Sequence, residues 1–200
     1  MNLSDNSAVV IDIETSGVNP FRHDILSVGL VPIDPKIAPM VVYVRSDHIV
    51  WSDYARQIFD KYAVEWEAHA VSPHDACTKI EEYLTRAYPG RPATPIGHNI
   101  GFDLAFLRKL AFLGGREQLA GLSHRAVDTH TLLYVLVLKG KLPESVLSSD
   151  GAFRHFNIDV PEPLRHTAIG DAQATRELVL RLFSMFDFEQ HGLISAKSAR

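Results

Sequence analysis

Asp12 and Glu14 stand in "AVVIDIETSG" (residues 8–17), a run that begins as a buried apolar strand and then turns acidic. Side chains on an extended chain alternate between faces, so Asp12 and Glu14 point the same way as Val10, while Ile11 and Ile13 point the other way. Two like charges held that close make each other harder to ionise unless a cation sits between them. Two more acids follow. In "GHNIGFDLAFL", helical spacing puts Asp103 on one face with Phe106, Leu107 and Leu110, and in "HTAIGDAQATRELVLRLF" it puts Asp171 with Thr175, Leu178 and Leu182. Each acid tops a face that otherwise reads as buried. His166 lies five residues before Asp171, in a loop or first turn from which it could reach the same place. Four carboxylates and one histidine suit a pair of oxygen-seeking divalent cations of the magnesium or manganese type, and suit zinc poorly. Such ions activate water and stabilise in-line displacement at phosphorus. A histidine, with an ordinary pKa of about 6.5, can take the proton of that water at neutral pH. The chemistry expected is phosphodiester hydrolysis.

No one of these signals is strong alone. With 24 acids in 200 residues, about three acid-x-acid pairs arise by chance. Two others do occur, Glu65/Glu67 and Asp187/Glu189, in polar or terminal surroundings where solvated side chains are the expectation. An acid in a first helical turn is favoured by the helix dipole in any case, and the chain holds ten histidines. Asp12 and Glu14 differ because their strand is apolar on both faces before the acids, as at the centre of a sheet. Ligands bind at the carboxyl ends of such strands. Asp103 follows a strand directly, so it should emerge near the same end.

The elements that must position these residues follow from periodicity and breakers. After the first strand, "ILSVGLVPI" and "MVVYVR" read as two more strands, completing a meander. Ser72-Pro73 starts a helix in which Ala76, Ile80, Tyr83, Leu84 and Ala87 recur at helical spacing until "YPGRP". A short strand "ATPIG", a helix from about Gly101 to Phe112, a strand around "RAV" and a helix "THTLLYVLVLK" come next. Gly170 precedes a long amphipathic helix running to about Phe186. The pattern is an α/β domain with a mixed sheet and helices on both faces. We expect one domain over 1–200, with a core of about 8–187 and a short tail at 188–200.

Composition removes several classes. A formal net charge of −4 argues against a protein that coats nucleic acid electrostatically, though not against a local site. The single cysteine, Cys77, excludes an internal disulfide and a cysteine-rich zinc framework. The start "MNLSDNSAVV" lacks a signal-peptide pattern, and no run reaches the about 18 apolar residues of a membrane span. A soluble, cytoplasmic protein with no membrane partner is the expectation.

"DIETSG", "GHNIGFD" and "HTAIGD", in that order, resemble the three motifs of the DEDDh 3′→5′ exonucleases. This DnaQ-like family includes ribonuclease T, polymerase proofreading subunits, oligoribonuclease and three-prime repair exonucleases. The likeness runs from about Ala8 to Phe186 and includes "GVNPFRHDILSVGLVPID" and "AVDTHTLLYVL" between the motifs. It implies a ribonuclease H-like fold with a five-stranded sheet, an antiparallel meander joined to parallel strands. It also implies two metal ions, Mg2+ or Mn2+, held by Asp12, Glu14, Asp103 and Asp171, with Asp12 bridging and His166 as general base. Four residues separate His166 from Asp171, the histidine-type spacing of the superfamily. Thr15, Ser16 and Gly17 would line the pocket of the terminal nucleotide, with His98, Asn99 and Phe102 supporting it. Asn99 as a helix cap and Phe102 as core are the competing structural readings.

The chain departs from the family between the meander and the first helix, in "SDHIVWSDYARQIFDKYAVEWEAHAVSP". Trp51, Tyr54, Phe59, Tyr62 and Trp66 there either stack unpaired bases or cover a sheet edge, the second being the commoner use. Arg22, Lys139, Lys141, Arg154 and Arg165 are phosphate-contact candidates against a default of solvated surface. His124 and His130 flank Asp128 without the spacing of a second metal site. The expectation is therefore a 3′→5′ exonuclease that releases nucleoside 5′-monophosphates from single-stranded DNA or RNA ends. The alternative from another class is a non-catalytic nucleic-acid-binding or polymerase-associated module of the same fold. Several relatives dimerise, so a homodimer is compatible, while the short tail gives little to tether a polymerase.

Overall fold

A computed structural model describes residues 7–186 of the chain. The acid pair Asp187/Glu189 and the tail 188–200 lie outside the described residues. Three strands form first: β1 (Ala8–Thr15), β2 (Ile25–Pro32) and β3 (Met40–Tyr43). After them come α1 (Asp53–Phe59), α2 (Ala63–His69), α3 (Pro73–Ala87), β4 (Thr94–Gly97) and α4 (Ile100–Leu113). The remainder is β5 (Val127–Asp128), α5 (Thr129–Leu138), a 3₁₀ turn (Glu144–Leu147), α6 (Ser149–His155) and α7 (Ala168–Phe186). The five strands lie in the order β3-β2-β1-β4-β5. β1 pairs antiparallel with β2 and parallel with β4, so the meander and the parallel half meet at the acid-bearing strand. This is the mixed sheet expected from the alternation of strands and helices, with the meander and parallel strands that the family resemblance implies.

Alternation along β1 divides the core. Val9, Ile11 and Ile13 pack with Ile80, Leu84, Phe106, Leu107 and Leu110 from α3 and α4. Ala8 and Val10 pack on the other face with Ile169, Ala172 and Val179 of α7. Asp12 and Glu14 share the parity of Val10, so they belong to the face that α7 covers. Serines start three helices by the same device: Ser52, Ser72 and Ser148 accept N–H bonds from Ala55, Asp75 and Gly151, and Pro73 follows Ser72 in the first turn of α3.

The long last helix begins at Ala168 and contains Gly170, where the sequence places its start after that glycine. The reason lies in packing. A Cβ at Gly170 would stand 2.0 Å from the Leu164 carbonyl oxygen, so the preceding loop can fold against the first turn of α7 only if residue 170 has no side chain. α7 meets the sheet in the same way. Gly29 pairs with Asp12 across β1 and β2, and a Cβ there would stand 2.3 Å from the Ala168 carbonyl oxygen. Gly29→Val is therefore expected to lift the start of α7 off the sheet and lower stability by about 3 kcal/mol, measured by urea unfolding.

The aromatic segment is mostly core. Phe59, Tyr62 and Trp66 are buried and close over Leu26 of β2, with ring centroids 5.3 and 5.4 Å apart in edge-to-face pairs. The Trp66 indole N–H donates to the Val44 carbonyl at 2.9 Å. Tyr54 alone of the five is well exposed. Among the described residues, no helix is long and apolar enough to cross a membrane.

Candidate active site

β1 and β4 run parallel and in register from Ala8/Thr94 to Val10/Ile96. β4 ends at Gly97, while β1 continues to Thr15, so Asp12 and Glu14 lie beyond the last paired residue of β4. A strand that overruns its neighbour leaves its side chains at an open end of the sheet, the place where parallel strands present ligands. Asp171, in the first turns of α7, comes down onto this overhang. Carboxylate oxygens of Asp12, Glu14 and Asp171 all lie within 4.8 Å of one another, and all three residues are half-buried.

Asp103 arrives from the opposite layer. It sits in the first turn of α4, is 5% exposed, and has its carboxylate favoured by the backbone N–H groups of Asp103 itself and Ile13. It is close enough to Asp12 to oppose its ionisation, yet it is not one of the three acids that converge. The acids thus reach Asp12 from two layers, since α4 packs on the Ile11 and Ile13 face and α7 on the Val10 face.

The electrostatics are those of a cluster short of positive charge. Removal from water and then the charge of Asp103, with Glu14 and Asp171 behind it, push the Asp12 carboxyl well above the usual carboxylate range. Glu14 is pushed up to about 8, first by burial and then by Asp171. Asp103 is also raised to about 8, by burial against the lowering pull of its two backbone bonds. Arg165 and Lys61 act the other way on Glu14, and Arg165 does so on Asp12.

His166 occupies the left-handed region at φ 62°, a conformation seldom held by a non-glycine residue without support. Its support is Asp171. The His166 N–H donates to Asp171 Oδ1 at 3.4 Å, and its Nδ1 lies 4.0 Å from Asp171 Oδ2. The histidine thus stands at the edge of the acid cluster, half-exposed.

The residues after the first motif divide. Ser16 is fully buried, and its Oγ accepts the Asp24 N–H at 2.9 Å while its own N–H donates to the Asp24 carbonyl at 2.9 Å. Its groups are committed to closing the loop. Thr15 Oγ1 donates to the Gly17 carbonyl at 2.8 Å, and Gly17 packs directly against the His23 ring. Asn99 is also left-handed, at φ 61°, and makes no side-chain cap; its N–H donates to Asp128 Oδ1 at 2.8 Å. His98 bridges Thr129 Oγ1 and the Leu147 carbonyl, each at 3.1 Å, and burial lowers its pKa so that the ring stays neutral. Phe102 packs on Phe106 at 5.0 Å between centroids, at the rim of the core.

Of the basic candidates, Arg165 reaches the acids, forming an ion pair with Asp171 at 2.5 Å. Arg22, Lys139, Lys141 and Arg154 are exposed. Lys61 was not legible as a site residue. It donates to the Arg165 carbonyl at 3.4 Å and bears on Glu14 from a segment whose sequence gave no motif. Glu65 and Glu67 are exposed; Glu65 pairs with His69 one helical turn on, and Glu67 pairs with Arg45, which follows β3.

No protein-family model matches the chain. It is 37% identical over 90 residues to a DNA polymerase III subunit epsilon-like protein of Rhodobacter capsulatus, a stretch that is 45% of this chain and 12% of that relative. The nuclease domain of 3′hExo, a DEDDh family member bound to rAMP, superposes with a TM-score of 0.70 at 14% identity, over 90% of this chain and 92% of that one. Escherichia coli exonuclease I in complex with a dT13 oligonucleotide superposes with a TM-score of 0.70 at 18% identity, over 88% of this chain and 42% of that one. The Methylocaldum szegediense exonuclease I gives 0.69 at 18% identity, over 90% and 40%. The chain thus spans less than half of the exonuclease I chains and about an eighth of the epsilon-like relative. It has the fold of these exonucleases, and over 90 residues it resembles the epsilon-like protein in sequence.

Proposed function

We propose that the chain is a divalent-metal-dependent 3′→5′ exonuclease that releases nucleoside 5′-monophosphates from single-stranded DNA or RNA ends. The observation that carries this reading is the convergence of Asp12, Glu14 and Asp171 within 4.8 Å at the open end of β1. The fold shared with the 3′hExo nuclease domain supports it.

The donor set fits Mg2+ or Mn2+. It offers hard carboxylate oxygens and no sulfur, and the raised pKa values of Asp12, Glu14 and Asp103 mark a cluster that needs positive charge. Asp12, Glu14, Asp103 and Asp171 would hold two such ions. Bound there, the ions would supply charge to the attacking and leaving oxygens. His166, with Nδ1 turned towards Asp171, would take a proton from water at Nε2. Thr15 and Gly17 would line the pocket of the terminal nucleotide, with Ser16 setting the turn. His98, Asn99 and Phe102 would form its far wall. Residues 1–200 would work as one exonuclease domain with its core at about 8–187.

Matched DNA and RNA oligonucleotides, short and long and labelled at the 5′ end, test this directly. With Mg2+ or Mn2+ the labelled strand should shorten stepwise from its 3′ end, with nucleoside 5′-monophosphates identified by mass. Cutting that persists in EDTA would sink the metal-dependent reading, and oligonucleotide binding without any cutting would sink it in favour of a non-catalytic nucleic-acid-binding module. The epsilon-like relative favours a second reading within the enzymes, a proofreading exonuclease working beside a polymerase. A preference for mismatched DNA 3′ termini over RNA would single it out.

A further inference from the structure

Arg165 places a permanent positive charge against the acid cluster. Its Nη1 pairs with Asp171 Oδ2 at 2.5 Å, its Nη2 pairs with Asp150 Oδ1, and its Cζ lies 5.5 Å from the centre of the Phe153 ring. The side chain is 14% exposed, as deep as that of Asp171 at 13%, whereas Asp150 at the other end of the bridge is 63% exposed. The guanidinium also acts on Asp12 and Glu14, opposing the forces that hold their protons. Each oxygen of Asp171 has one donor, since Oδ1 accepts the His166 N–H and Oδ2 accepts from Arg165. A cation coordinated by Asp171 therefore meets the charge of Arg165 across the same carboxylate.

The surroundings let the side chain yield without the loop. The backbone around Arg165 is tied down: its N–H and that of Leu164 donate to the Pro161 carbonyl, the Thr167 Oγ1 donates to the Leu164 carbonyl at 2.7 Å, and the Leu164 carbonyl rests on Gly170. Asp150, at the solvent end, can keep Nη2 while Nη1 leaves Asp171.

We propose that Arg165 is a resident counter-cation, which neutralises part of the carboxylate cluster in the metal-free protein and gives up Asp171 to an incoming divalent ion. This inference rests on the metal-dependent reading above. Arg165 is a positioning residue here, setting how tightly the cluster takes metal. Two like-signed cations a few ångströms apart repel strongly in a half-buried site, so the guanidinium weakens metal binding for as long as it stays. Removing it leaves the acids to the metal alone.

The test uses the full chain and the metal alone. Calorimetric titration with MnCl2 should give Arg165→Gln a Kd about tenfold or more below that of the wild type, with its metal-free melting temperature lowered and restored on adding Mn2+. Arg165→Lys, which keeps the charge, should bind Mn2+ close to the wild-type level. A merely structural role for Arg165 would weaken metal binding in both variants. In the wild type, titration with diamagnetic Mg2+ should shift the Arg165 Nε–Hε resonance, assigned by its absence from Arg165→Lys, so the exchange is tested even where the glutamine variant does not fold. An Arg165→Gln affinity equal to or weaker than wild type, or an unmoved resonance at Mg2+ saturation, overturns the exchange. If the wild type binds Mn2+ and shortens oligonucleotides while either of those results holds, the exchange alone fails. If the wild type binds no divalent ion, the exonuclease reading fails with it.

Discussion

Asp12→Asn should raise the melting temperature of the metal-free protein at pH 8 and at the same time abolish metal-dependent cleavage. Asp12 has the least favourable place for a charge among the described residues of the site. Burial, Asp103, Glu14 and Asp171 all resist its ionisation, and only Arg165 acts the other way. An amide of the same shape removes one buried acid from that cluster and relieves its neighbours. A gain of about 1–2 kcal/mol is expected, which for a chain of this size is a rise of about 3–6 °C. Saturating Mg2+ should raise the wild-type melting temperature further, because a ligand bound only by the folded state stabilises it by mass action. The variant should show little of that rise. Its cleavage rate should fall about a thousandfold or more, as expected on loss of a carboxylate that holds the metal. Differential scanning fluorimetry with and without Mg2+, beside an oligonucleotide assay, reads both effects. A variant that is less stable without metal, or that still cuts, would remove Asp12 from the role given to it here. A more stable but inactive variant is the signature of a residue kept for chemistry at the expense of the fold.

The second large effect is on pH. A Glu14 carboxyl raised from 4.5 to about 8 keeps its proton in the folded protein over a range where the unfolded chain has lost it. Between those values the folded state binds more protons, so stability is fully present below about pH 4.5 and is lost as pH rises towards 8. Asp103, also raised to about 8, and Asp12, raised by the same causes, act in the same direction. His98 acts the other way, since burial lowers its pKa and so favours folding as pH rises through neutrality. One histidine stands against three carboxyls, and the carboxyls win. Metal-free protein should lose about 3 kcal/mol of unfolding free energy between pH 5 and pH 8, measured by urea titration in EDTA. Saturating Mg2+ should flatten or reverse the slope, because metal and protons compete for the same oxygens. A metal-free stability that rises across this interval would show that the acids are not held together as described.

What the sequence by itself determined is local. Alternation along "AVVIDIET" put Asp12 and Glu14 on one face, and that parity is what turns them to α7. Helical spacing put Asp103 and Asp171 at the heads of buried stripes, and the strands of the meander fall where the apolar runs lie. These features depend on residues a few positions apart, and periodicity records them. The short helices α1, α2 and α6 were not legible, because seven residues make barely two turns and α6 carries a glycine inside. They are helical because Phe59, Trp66 and Phe153 find cores supplied by other parts of the chain.

Only the tertiary structure decided how the site is assembled. It brings Asp103 to Asp12 from one layer and Asp171 from the other, because α4 and α7 cover opposite faces of one strand. It commits Ser16 to the loop and turns most of the aromatic segment inward. It brings Lys61 to a loop more than a hundred residues away and sets Arg165 between Asp150 and Asp171. Sequence spacing cannot show such pairings, because side-chain position relative to a distant partner is set by the packing of whole elements, which local periodicity does not encode. The acids could be read from the chain, and Arg165 as a basic candidate beside them, but its pairing with Asp171 could not.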